Sequence, residues 1–262
     1  MASKIKGIIL NKILPIAFWL IVWEIASHLF AAYSELDNPR YFFPGFSDTF
    51  TALIRILNSS EFIKVVSATL MRVIGGIACG TLVGIVLAII SYKISFIYSL
   101  ISPLNSVIKA TPIASIIILL WISMKGSDIA IFVAFLMVFP IIFQNIYDAF
   151  SSIDKGLIEV ATIYEFDFKK RITLLLFPAL KQYFIPAFIT SIGLAFKAEI
   201  AAEIIVGVRN SIGEMIYEAK DAPATDEVFA WTFIGVFFSI LIESIARMLL
   251  KGKDKENKEV VV

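Results

Sequence analysis

The chain is short of the residues from which most active sites are built. Its 262 residues include one histidine, His28, and one cysteine, Cys79, so no intrachain disulfide can form and the usual His/Cys metal cluster is excluded. Charged residues make up only 17% of the chain and nearly cancel, to a net charge of +1, which gives nucleic acid no reason to bind. No G-x-x-x-x-G-K-S/T phosphate loop occurs, so ATP is not held by that route. A Ser/His/Asp set within mutual reach is also missing, which disfavours an enzyme embedded in the membrane.

What is abundant is apolar surface. Hydrophobic residues reach 59% and the mean hydropathy is +0.87, more than a soluble core of this length needs. An all-α integral membrane protein follows. A spanning helix takes about 20 mostly apolar residues, and runs of that kind cover Ile13–Ala32, Val65–Ser91, Phe96–Ile122, Ile129–Phe150, Ile185–Val208 and Val228–Leu250. Lys4, Lys6 and Lys12 precede the first, and Ala31-Ala32 imitates a signal-peptidase site, but the run is too long for a signal core. With both termini in the cytoplasm, the inner ends and loops carry twice as many Lys and Arg as the outer ones, the expected bias. The chain then divides into 1–64, a first span and an outer-surface segment; 65–250, a core of five spans; and 251–262, a charged cytoplasmic tail. In the outer segment, the Phe43-Pro44-Gly45 turn leads through Ser47-Asp48, a potential cap, into a short helix over Thr49–Leu57.

Several residues inside the spans need a reason to be there. Gly76, Gly80, Gly84 and Ala88 recur every fourth position and form one strip of minimal side chains, a surface for close helix packing or, alternatively, the lining of a path. Pro103 and Pro112 interrupt the third run and place it inside the bundle. Lys109, Lys197, Glu199 and Glu203 each cost about 2.5 to 3.5 kcal/mol at a helix centre. Glu199 and Glu203 lie one turn apart, where they pair with buried cations or sit near a helix end. Lys109 and Lys197 beside a path would favour an anionic solute. Glu24 and Glu243 have no evident partner.

The polar insert from Ser151 to Phe177 is cytoplasmic in this topology. Asp154 can cap a helix from Lys155 to about Tyr164, on which Leu157, Ile158, Ala161 and Tyr164 share a face. Such a face on a loop fits a partner's groove, with small Ala161 allowing close approach. Glu165-Phe166-Asp167 breaks the helix, Asp167 caps the next, and Lys169, Lys170 and Arg171 mark the membrane surface ahead of Pro178.

Glu159-Val160-Ala161, with Pro178 nineteen residues after Glu159, is similar to the EAA signature of ATP-binding-cassette importer permeases, E-A-A-x3-G-x9-I-x-L-P. Phe43-Pro44 with Ser47, the run Ala68-Thr69-Leu70-Met71-Arg72-Val73, Lys109 to Ser115, Phe139-Pro140 and Ala201-Ala202-Glu203 resemble the nitrate, sulfonate and taurine branch. The likeness covers roughly Pro44 to Leu250. It implies a type I permease bundle of six transmembrane helices in the cell membrane, with residues 151–178 as the coupling segment. Leu157, Ile158, Glu159, Ala161, Tyr164, Glu165 and Asp167 would meet an ATPase subunit that carries the ATP and Mg, with no cofactor on this chain. A solute-binding protein, a second permease copy and the bilayer are the other partners implied, and the cargo a small anion. Val160, Leu175 and Phe177 depart from the signature, and Glu165 stands at its glycine. Because glycine tolerates positive φ and glutamate does not, another turn geometry is expected there. The alternative is an ion-coupled secondary transporter, which would need an intramembrane charge relay and internal repeats; no repeat relates the two halves.

Overall fold

The computed structural model describes residues 14–36 and 38–251, and among them all regular structure is helical. The elements are α1 (Leu14–Tyr33), α2 (Phe46–Leu57), α3 (Phe62–Lys93), α4 (Ser95–Ala110), α5 (Ile113–Trp121), α6 (Gly126–Ser151), α7 (Lys155–Ile163), α8 (Phe168–Val206), α9 (Ile212–Asp221) and α10 (Thr225–Lys251). Lys4, Lys6, Lys12, Ile13, Asp37 and residues 252–262 of the charged tail lie outside the described residues.

Among the described residues five helices, α1, α3, α6, α8 and α10, are long and apolar enough to cross a membrane, and there are six spans if α4 and α5 count as one broken span. These two meet at 103°, so the run Phe96–Ile122 is broken at Pro112, as expected. Pro112 has no N–H to give and disfavours helical geometry in the residue before it; Thr111 accordingly takes φ −77°, ψ 131°. Pro103, expected to interrupt as well, sits inside α4 without ending it. The fifth run is corrected. α8 extends over 39 residues from Phe168, well before Ile185, absorbs a π turn at Ile172–Leu176, and stops at Val206, where Gly207 takes φ +69°.

The centre of the bundle is α3 against α6 and α6 against α8. A Cβ placed on Gly76 would stand 2.5 Å from Ala134 Cβ, one on Gly80 2.8 Å from Val138 Cβ, and one on Gly84 3.1 Å from Ile142 Cβ. The glycine strip of α3 therefore closes on a matching every-fourth-residue strip of α6, and Ala88 continues it, fully buried. Packing within the chain, not a path, accounts for the strip. Val73, Ile77, Phe143, Ile192 and Phe196 fill the core around it.

α1 is fastened to the segment ahead of α2. Trp23 Nε1 donates to Pro44 O at 3.1 Å, and Ser27 Oγ to Phe43 O at 2.8 Å. Glu24 accepts from Ser47 N at 3.1 Å and Ser47 Oγ at 2.8 Å, so it has the partner its sequence did not reveal. Gly45, rather than Ser47, is the N-cap of α2, and Asp48 accepts from Gly45 N at 3.1 Å. Glu243 is likewise partnered, accepting from Arg247 Nη2 at 2.7 Å.

Candidate functional site

The insert between α6 and α8 forms as two capped helices. Asp154 accepts from Gly156 N at 2.7 Å and opens α7; Asp167 accepts from Lys170 N at 2.9 Å and opens α8. Between them α7 ends in a Schellman turn, with Phe166 N donating to Ala161 O at 2.9 Å and Glu165 N to Thr162 O at 3.1 Å. That turn requires a left-handed residue at Glu165, which takes φ 46°. The other geometry expected for a glutamate at this position is not adopted: the turn keeps its positive φ, and the two bonds hold an unfavourable residue in place. Arg171 ties the helices together, donating from Nε to Phe166 O at 3.2 Å and from Nη2 to Thr162 Oγ1 at 3.4 Å.

The contact face differs from the expected one. Ala161 is 1% exposed and turns inward, beside Tyr92, Ile153, Leu175 and Leu176 at a cavity of about 190 Å³. It serves close approach inside the chain, not to a partner. Ile158 lines the same cavity while remaining partly open. The outward apolar residues are Leu157, Val160, Ile163 and Tyr164, the last 72% exposed. Glu159, Glu165 and Asp167 are exposed as well.

A second constellation joins α3, α8 and α9. Glu203 is fully buried and accepts from Arg72 Nη1 at 2.7 Å, from Thr69 Oγ1 at 2.9 and 3.0 Å, and from Gly213 N at 3.1 Å. Thr69 Oγ1 in turn accepts from Ile212 N at 3.0 Å. Arg72 Nη2 reaches the carbonyls of Arg209 and Asn210 at 3.2 and 3.4 Å. One carboxylate thus pins the turn between α8 and α9 to α3. A Cβ on Gly213 would lie 2.3 Å from Glu203 Cβ, so only glycine lets α9 approach this closely.

Thr69, Arg72 and Gly213 were not singled out as site residues in the sequence. The signal was present: Thr69 and Arg72 belong to one segment of family likeness and Glu203 to another. The lysines are not brought together in this way. Lys197 lines a cavity of about 550 Å³ between α8, α9 and α10, with Trp231, Thr232, Ser239 and Glu243 on its wall. Lys109 is exposed near the end of α4 and is not on that wall.

Comparison with known proteins agrees with this architecture. Residues 80–255 match the family described as "Binding-protein-dependent transport system inner membrane component". A putative aliphatic sulfonates transport permease protein of Bacillus subtilis is 27% identical over 131 residues, which is 50% of this chain and 47% of the relative. A nitrate import permease protein of Synechocystis sp. is 28% identical over 182 residues, 68% of this chain and 66% of the relative. The matched segments thus span about half and just under two thirds of these curated relatives. Neither description points to an ion-coupled secondary transporter.

Proposed function

Because the chain belongs to the family of inner membrane components of binding-protein-dependent transport systems, we propose that it is the permease subunit of an ATP-binding-cassette importer. The observation that carries this reading is α7. It is a short, doubly capped helix between two spans, exposing Leu157, Val160, Ile163 and Tyr164 around the acidic Glu159. A water-exposed loop gains nothing from such a face unless another protein covers it.

The partner at α7 is an ATPase subunit, which holds the ATP and Mg; this chain supplies no ATPase site. Shifting a transporter from 1:99 to 99:1 between two facing states takes roughly 5.5 kcal/mol of differential binding. Closure of an ATP-loaded partner supplies it, and α7 passes it directly into α6 and α8. Both termini and the coupling segment lie on the cytoplasmic side. A solute-binding protein delivers the cargo from the other side, and a second copy of the permease completes the path.

The cargo is a small anion of the nitrate or sulfonate class. The relatives' descriptions point there, and Lys197 puts a cation on the wall of a cavity large enough for such a solute. Glu159→Lys in proteoliposomes tests the assignment. ATP-driven uptake should be lost while the chain still inserts and folds, and normal uptake would overturn the docking role. Lys197→Met should weaken anion uptake selectively; unchanged solute selectivity would return this residue to packing.

A further inference from the structure

Glu199 is the buried ionisable group that the coupling reading leaves unused. It lies on α8 one turn before Glu203 and is fully buried, yet neither of its carboxylate oxygens has a hydrogen-bond partner. Glu203 stands one turn along the same helix and is itself paired with Arg72 of α3. Among the described residues no side chain or backbone group of the other helices packed on α8, namely α5, α6, α9 and α10, hydrogen-bonds to it. Two carboxylates and one guanidinium would leave one uncompensated negative charge in a closed site, an arrangement that burial opposes strongly.

A bound cation or a proton could remove that charge, and the geometry separates them. A metal ion needs a shell of oxygens, on the order of six. The two oxygens of Glu199 are free, and Glu203 keeps a single acceptor position beside those that Thr69, Arg72 and Gly213 fill, too few for such a shell. No cluster of three His, Cys, Asp or Glu suited to a metal occurs among the described residues. A proton needs only one neighbouring acceptor, and because the single hydroxyl proton of Thr69 serves one Glu203 oxygen at a time, one position on that carboxylate remains.

We propose that Glu199 is a proton-carrying site, held as the neutral acid and donating its O–H to the Glu203 carboxylate. The acid is a positioning residue: it adds one more donor to Glu203 and leaves the Arg72–Glu203 pair as the balanced charge of the site. The inference is independent of the docking role of α7 and of the identity of the solute.

Infrared spectroscopy of the purified full chain in lipid nanodiscs tests it, at about pH 8 where exposed carboxyls are ionised. The wild type should show the carbonyl stretch of a protonated carboxylic acid, shifted on exchange into D2O and absent from Glu199→Gln. The Gln variant, whose amide N–H replaces the acid O–H, should unfold near the wild-type temperature, whereas Glu199→Ala should unfold well below it. Absence of the band from the wild type would overturn the proposal whether or not any variant folds. So would a wild-type melting temperature raised by sodium chloride but not by choline chloride, since that identifies a bound cation.

Discussion

Arg72 Nη1 and Glu203 Oε1 lie 2.7 Å apart, joining α3 to α8 across 131 residues of sequence. The side chains are 13% and 0% exposed, so the Glu203 carboxylate has no water to fall back on if its partner is removed.

Arg72→Met should therefore destabilise the chain by roughly 3 to 5 kcal/mol, because it strands a buried carboxylate. Arg72→Met combined with Glu203→Leu should recover most of the loss, since it removes both charges together. Unfolding of single and double variants in the same detergent measures this. Losses that simply add would mean that the two residues act separately.

Much of the fold was legible because its causes are local. Asp154 and Asp167 announce helix starts through their own side chains, and the glycine strip of α3 shows its packing face by spacing alone. In the third span the break at Pro112 was legible, but Pro103 carries the same signal and leaves α4 unbroken, so residue type alone did not tell which proline bends the chain. The direction of Ala161 was hidden for another reason: Leu157, Ile158, Val160, Ala161 and Ile163 make α7 apolar on nearly every side, so periodicity cannot choose its buried face. The Arg72–Glu203 pair could not be derived from either helix alone. Each residue stood in a segment resembling the family, but only the packing of α3 on α8 brings them within a bond.

Glu165→Gly should strengthen the turn after α7. A left-handed backbone costs an L-residue roughly 1 to 2 kcal/mol, which glycine avoids while losing part of the gain to its greater freedom when unfolded. The expected outcome is slower hydrogen exchange at the Phe166 amide, which is bonded to Ala161 O. Glu165→Val should accelerate it, because a β-branched residue fits positive φ worst. Unchanged exchange in both variants would mean that the turn is held by other contacts.

Adjacent glycines on α3 should respond in opposite ways. Gly76→Ala would drive a methyl to 2.5 Å from Ala134 Cβ and 2.7 Å from Ile131 O, and overpacking of this kind typically costs about 1 to 3 kcal/mol. Gly75→Ala meets nothing within 4 Å and should be neutral or gain up to about 1 kcal/mol from helix propensity. Melting temperatures of the two variants decide it, and equal behaviour would show that α3 and α6 do not pack this closely.

Val160 and Ala161 are neighbours in sequence, but 45% of one and 1% of the other is exposed. A charge at Ala161 enters the chain's own interior, so Ala161→Asp should lower the melting temperature of the isolated permease. A charge at Val160 faces outward, and Val160→Asp should leave stability within about 0.5 kcal/mol of wild type while weakening capture of the ATPase subunit. Measuring both properties on both variants separates folding from docking. If Ala161→Asp spared stability and abolished only capture, Ala161 would belong to the partner-facing surface after all and the inward packing of α7 would be wrong. If Val160→Asp left capture intact, the ATPase would have to engage α7 through Leu157, Ile163 or Tyr164 without crossing the exposed side of Val160.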